Sequence, residues 1–346
     1  MSRFRPREGQ AEVLDYAGGR MGISAVPGSG KTRTLAELAA RLVCMAIEDD
    51  QEVLVVTLVN SAVDNFRHTI NRAMKARGLL PDLGYRVRTL HGLAHDIARE
   101  KPGLVGLSDD FGIIDEREAA TVRRDAAEAW LQGHPTFLDR YLDPSIEGSK
   151  ADWVRRDRWP RLVDDTAGAF IKRAKDQSLT PAVLSERLSS VEAVPQGEVD
   201  TNSLALARMG TAIYADYQRS LAYRGVVDFD DLIRLALEAL RLDAEYLARL
   251  QRRWPYVLED EAQDSSSVQE QMLELLTEKS GNWVRVGDTN QAIYETFTTA
   301  DPQLLRTFLA QDGVVEIGLN QSGRSQQAIM DLANYLVAWT LSLIHI

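Results

Sequence analysis

Two short runs in this chain carry residue types that could do chemistry together. The first is AVPGSGKT at positions 25–32. Gly28 and Gly30 let backbone N–H groups turn inward onto an anion, and a helix opening at the end of the run adds a favourable dipole. Lys31 is placed to bridge the β- and γ-phosphates of a nucleoside triphosphate, and Thr32 to hold Mg2+. Ala25 stands where the usual G-x-x-x-x-G-K-T pattern has its first glycine. The cradle as a whole is Ala25, Val26, Pro27, Gly28, Ser29, Gly30, Lys31, Thr32 and Arg33. By itself such a run fits a kinase, a GTPase or a motor, and the bland alternative is a chance glycine loop. The second run is WPYVLEDEAQD at 254–264, which puts Asp260 and Glu261 at the end of an apolar strand pattern. Asp260 would hold the Mg2+–water shell, and Glu261 would orient and deprotonate an attacking water. A kinase does not need that base, so the pair points to hydrolysis. The bland alternative is a solvated acidic turn capping the next helix.

These residues need a scaffold that brings strand ends together, and the flanking pattern supplies one. Residues 21–26 and 53–59 are apolar runs, the second rich in β-branched residues as in parallel strands buried on both faces, and 85–89 reads as a further strand. Helical periodicity fills 32–47 and 61–76. The alternation predicts an α/β fold, a doubly wound parallel sheet whose strand C-termini line a ligand crevice. From about Lys101 to Tyr223 the pattern is helical, with Pro135, Pro144, Pro160, Pro181 and Pro195 as breaks, which predicts a helical insertion. Alternation then resumes with strands at WPYVLED, WVRVGD and VVEIGL. A helix begun near Ser325 ends in an apolar tail without a cap, which predicts a truncated chain with SLIHI as a candidate foreign tail.

Composition narrows the class. Hydrophobic residues make up 45%, enough for a real core, so a disordered chain is excluded. No stretch reaches the roughly 20 apolar residues of a membrane helix, and the amino end lacks a secretory apolar region. Cys44 is the only cysteine, which excludes an internal disulfide framework and predicts a reducing cytoplasm. With 40 basic and 51 acidic residues the net charge is −11, so any nucleic-acid contact must come from a local basic track.

With these motifs in place, the DEAQD run and VGDTNQAIY at 286–294 resemble superfamily 1 DNA helicases of the UvrD/Rep/PcrA type, and the similarity covers nearly the whole chain. The resemblance implies a RecA-like P-loop NTPase with an inserted helical subdomain. Domain 1A would be 1–100 and 223–310, domain 1B 101–222, and the start of domain 2A 311–346. It makes Gln10 the adenine-reading glutamine, Gln291 the γ-phosphate sensor, and Arg324 in GLNQSGRS the arginine on the γ-phosphate. Thr57, Asn60, Thr89, His91 and Tyr294 become the DNA contacts, with Tyr294 stacking on a base. FIKRAKDQSLTP resembles a segment of domain 1B, with Lys175 and Pro181 matching. The implied activity is Mg2+-dependent ATP hydrolysis driving 3′-to-5′ movement on single-stranded DNA, with unwinding at single-strand/duplex junctions by the complete protein and a setting in DNA repair.

Departures from the family pattern are specific. Leu58 and Ser61 replace an aromatic and a lysine of the first DNA-contact segment, Gly323 replaces the aromatic that stacks on adenine, and Thr296 replaces another aromatic. The fifth and sixth motifs have no counterpart in these residues. Bland alternatives stand beside three expectations: Tyr294 as a core residue, His91 as a hydrogen-bonded corner residue, and KADWVRRDRWPRL (local charge +3 from five basic and two acidic residues) as a tryptophan core with a solvated face rather than a DNA path. His91 and His95 lack a third ligand, so no structural metal is expected. Two rival functions remain: the helicase subunit of a RecB/AddA-like recombination nuclease, and a nucleotide-gated single-stranded-DNA-binding module that never unwinds.

Overall fold

The computed structural model describes residues 4–45, 47–48, 50–192, 200–288 and 301–344. The chain divides into two compact units, Met1–Asp96 with Leu240–Ile346, and Ile97–Ala239.

The first unit is built on a six-stranded parallel sheet. Numbering all strands in chain order, β1 is Arg20–Ala25, β2 Val53–Thr57, β3 Tyr85–Thr89, β4 Gly112–Ile113, β5 Val226–Val227, β6 Tyr256–Glu259, β7 Trp283–Gly287 and β8 Val314–Leu319. The sheet order is β3-β2-β6-β7-β1-β8. Every residue of β2 and β7 is buried, as the continuous apolar run of β2 predicts for a central parallel strand. Helix Lys31–Met45 packs Leu35, Leu38 and Leu42 onto Ile23, Val55 and Leu258 in one core with Phe66 and Ile70 of helix Asn60–Lys75.

Two buried charges sit inside this sheet. Arg285 of β7 is wholly buried and pairs with Glu259 of β6 at 2.8 Å and with Glu270. Its guanidinium lies over Trp283, 4.6 Å from the ring centre. Ser265 Oγ donates to the other Glu259 oxygen at 2.7 Å. A pair of this kind contributes little net stability, but either partner left alone inside would be costly.

β8 lies in the 311–346 stretch. It pairs in parallel with β1 along its whole length, from Arg20↔Val314 to Ala25↔Leu319. The local pattern of VVEIGL is that of any strand; the free edge of β1 decides which sheet it joins. Helix Gln327–Ile344 follows, with Ile329, Leu332, Tyr335 and Trp339 exposed.

Among the described residues the regular structure of the second unit is helical apart from the two-residue pairing of β4 with β5. Helices Glu116–Gly133, Trp159–Asp176 and Thr201–Arg224 share a core of Val122, Trp130, Trp159, Val163, Ile213 and Tyr214. Lys175, 2% exposed, donates to Asp228 and, at 2.8 Å, to Asp231, while the Tyr217 hydroxyl also donates to Asp228. The ammonium thereby ties helix Trp159–Asp176 to the start of helix Phe229–Leu242. Among the described residues no helix is long and apolar enough to cross a membrane.

Candidate active site

β1 ends at Ala25, and the chain turns through Val26, Pro27, Gly28, Ser29 and Gly30 into the helix that begins at Lys31. Gly28 and Gly30 have φ of 74° and 89°, the left-handed region that a side chain would strain. Ser29 is buried, with a hydroxyl that has no hydrogen-bond partner among the described residues. The loop is thus a concave backbone surface at a helix N-terminus, suited to phosphate oxygens.

β6 delivers the acidic pair to the same place. Asp260 N donates to Val56 O of the neighbouring strand at 2.9 Å, which fixes the carboxylate beside the end of β2. Asp260 is buried, and its Oδ1 has no partner among the described residues. Burial, reinforced by the adjacent Glu261 charge, pushes its carboxyl up to about 7. Glu261 has φ 55°, ψ 42°, a left-handed conformation unusual for glutamate. It turns its carboxylate onto Lys31, whose Nζ lies 2.7 Å from Glu261 Oε2. The lysine and the acid, 230 positions apart, are therefore one local site.

Gln263 completes the acidic turn and was not singled out from the sequence. Its Nε2 donates to Glu261 Oε2 at 3.0 Å and to Asp264 at 3.1 Å, and its Oε1 accepts from Asp288 N at 3.1 Å. One buried amide thus links the candidate base to the end of β7. Its signal was visible, a glutamine two residues after Glu261, but its three partners were not.

A cavity of about 740 Å³ opens beside the phosphate loop, lined by Phe4, Arg7, Gln10, Arg33, Gly323 and Arg324 among others. Gln10 is buried at its edge; Nε2 donates to Ser29 O at 2.8 Å, and Oε1 accepts from Arg7 N at 3.0 Å. Arg33 lies over the Phe4 ring at 4.6 Å. The loop after β8 brings Arg324 here: Gly323 N donates to Gly28 O at 2.9 Å, and a Cβ at Gly28 would stand 2.5 Å from Arg324 Cβ. Arg7 is the second residue that sequence reasoning missed. Its guanidinium donates to Gln321 O.

Two of the expected DNA contacts fall on strand ends of the same sheet and two on the helices that follow those strands. Thr57 and Thr89 are register partners at the C-termini of β2 and β3. Thr57 is 1% exposed and its hydroxyl has no partner among the described residues. Asn60 is exposed at the start of its helix. Thr89 Oγ1 accepts from Gly92 N at 3.0 Å, capping the helix that carries His91. Burial holds the His91 ring below the usual histidine range, so it is neutral at pH 7 and offers no cation to a phosphate. Gln291 and Tyr294 lie outside the described residues. In the basic segment of the second unit the two tryptophans divide: Trp159 is core, whereas Trp153 is 43% exposed beneath Arg158. Arg155 pairs with Asp139 and Asp152, and Arg156 with Asp157.

The chain is similar to known proteins over most of its length. The family model described as UvrD/REP helicase N-terminal domain matches residues 7–311. The chain is 28% identical over 329 residues to the ATP-dependent DNA helicase PcrA of Leuconostoc citreum, covering 95% of this chain and 38% of that protein. It is 26% identical over 316 residues to DNA helicase II of Haemophilus influenzae, covering 91% and 38%. It is 26% identical over 340 residues to the ATP-dependent DNA helicase Rep of Escherichia coli, covering 97% and 43%. The chain therefore spans from 38% to 43% of the length of these three relatives.

Proposed function

The chain belongs to the UvrD/REP helicase N-terminal domain family, and from that premise we propose that it supplies the ATP-hydrolysing part of a DNA helicase that moves 3′-to-5′ on single-stranded DNA. The observation that carries this is the 2.7 Å pairing of Lys31 with Glu261 beside the buried carboxylate of Asp260. A triphosphate on the loop competes for Lys31 and draws it to the β- and γ-phosphate oxygens. Glu261 Oε2, released from the lysine and still held by Gln263, then accepts the proton of the attacking water. Arg324, carried against Gly28, contacts the γ-phosphate and stabilises charge that develops there. Gln10 retains one donor and one acceptor site beyond its two bonds, which suits the edge of adenine.

The residues present fit a Mg2+ ion. Asp260 offers an unpartnered buried oxygen, and Thr32 follows Lys31 at the helix start, few ligands of the kind that Mg2+ accepts when phosphates supply the rest. When bound, the ion supplies neutralisation of phosphate charge. The Thr89 end of β3 and the helix starts bearing Asn60 and His91 form the path for single-stranded DNA, with Tyr294 as the base-stacking side chain and Gln291 as the γ-phosphate sensor. The sheet unit is domain 1A and the helical unit domain 1B, working in the cytoplasm on single strands and junctions as part of DNA repair.

The test is ATP turnover with and without single-stranded DNA, for the wild type and for Lys31→Ala. Strand-stimulated, Mg2+-dependent turnover that Lys31→Ala abolishes is expected. Turnover indifferent to Lys31→Ala would refute the assignment, and turnover indifferent to DNA would remove the motor from it.

A further inference from the structure

The proposed phosphate loop fixes where the triphosphate ends, so the base must lie further out, in the cavity that Gln10, Arg7 and Gly323 line. An edge for the base is offered by Gln10. Its faces need flat walls, and one side of the cavity is made by Gly323, which has no side chain. The guanidinium of Arg7 fills that space instead. A Cβ built at Gly323 would stand 2.6 Å from Arg7 Nη2 and 3.6 Å from its Cζ, so glycine here is what admits the arginine. Two bonds hold Arg7 in position: its side chain donates to Gln321 O, and its backbone N–H donates to Gln10 Oε1 at 3.0 Å. A single residue thereby orients the edge-reading amide and presents a planar cation beside it.

We infer that Arg7 is a base-binding residue, whose guanidinium stacks on the purine of the bound nucleotide across Gly323. A guanidinium is planar, weakly hydrated and permanently charged, and it stacks on aromatic faces in a way that an ammonium does not. The residues are separated by 316 positions, and only the return of β8 to the edge of β1 brings them together. The inference rests on the nucleotide-site assignment above and adds to it the residue that selects an aromatic base over bare phosphate.

The experiment compares binding of Mg-ATP and of Mg-tripolyphosphate, which has the phosphates and no base, by titration calorimetry. The proteins are the wild type, Lys31→Ala, Arg7→Ala, Arg7→Lys and the double variant Arg7→Ala/Gly323→Tyr. Arg7→Ala is expected to weaken ATP about tenfold and to leave tripolyphosphate unchanged. Arg7→Lys, which keeps the charge, is expected to behave like Arg7→Ala. The double variant, which replaces the guanidinium wall with a ring, is expected to regain ATP affinity. Equal losses for both ligands, or full affinity in Arg7→Lys, would make Arg7 a charge contact and overturn the inference. So would unaltered ATP binding in Arg7→Ala. Lys31→Ala separates the two levels: if it binds both ligands as the wild type does, the phosphate-loop assignment itself has failed, whatever Arg7 does.

Discussion

Replacing Asp260 with asparagine should stabilise the nucleotide-free protein while removing its use for Mg2+. The carboxyl is buried, one oxygen is without a partner among the described residues, and Glu261 stands next to it. Together these raise it from 3.8 to about 7, a displacement worth about 4 kcal/mol. Below about pH 4 the group is protonated in the folded and unfolded chains alike and has no effect. Between about pH 4 and pH 7 the unfolded chain ionises while the folded one keeps its proton, so stability falls as pH rises. Above about pH 7 the full cost of a buried charge is present. Asparagine keeps the shape and never ionises. Asp260→Asn should therefore melt with the wild type near pH 4, and above it by on the order of 10 °C near pH 8. Thermal melts of the two proteins across that range, without nucleotide, provide the assay. Equal melting at every pH, or a constant offset, would refute the argument that Asp260 carries an uncompensated buried charge. Nucleotide binding by the same variant should lose its Mg2+ dependence.

Other consequences are equally direct. Glu261→Gln should bind ATP as the wild type does and lose about 10²–10⁴ in turnover, measured by calorimetry and phosphate release; undiminished turnover would remove Glu261 as the base. Arg285→Val should cost about 3–5 kcal/mol in chemical denaturation by stranding Glu259, whereas the double variant Glu259→Val/Arg285→Val should recover most of it. Because His91 is neutral, His91→Ala should lower single-stranded-DNA affinity without altering the salt slope, which shifts by about 0.7 for each phosphate that is no longer neutralised; a reduced slope in anisotropy titrations would show a cationic role.

How much of this was legible depended on how local the signal was. The glycine loop and the acid pair are contiguous runs with fixed chemistry, and the strands that carry them are apolar enough to be read directly, so the α/β fold followed; the 2.7 Å contact of Lys31 with Glu261 is what the structure adds. β8 could not be assigned to its sheet, because the free edge of β1 is a tertiary fact. Trp153 and Trp159 look equivalent in sequence, yet a six-residue spacing places one in the helical core and the other outside it. Thr57 reads as a strand-end contact but is enclosed between its neighbours. Arg7 carries no signal of its own: an arginine before a glutamine becomes notable only once a glycine from the far end of the chain lies against it.

The bond from Gly323 N to Gly28 O has a mechanical meaning. The chain that leaves the sheet after β8 is pinned by Arg7 at Gln321 O and then by Gly28 O at Gly323 N, before it enters helix Gln327–Ile344. Tension applied along that helix would meet its first anchor at Gly28, and the absence of a side chain there is what lets Arg324 lie against the loop. The glycine loop and the root of the helix are thus tethered to each other, so a displacement of either is felt by the other.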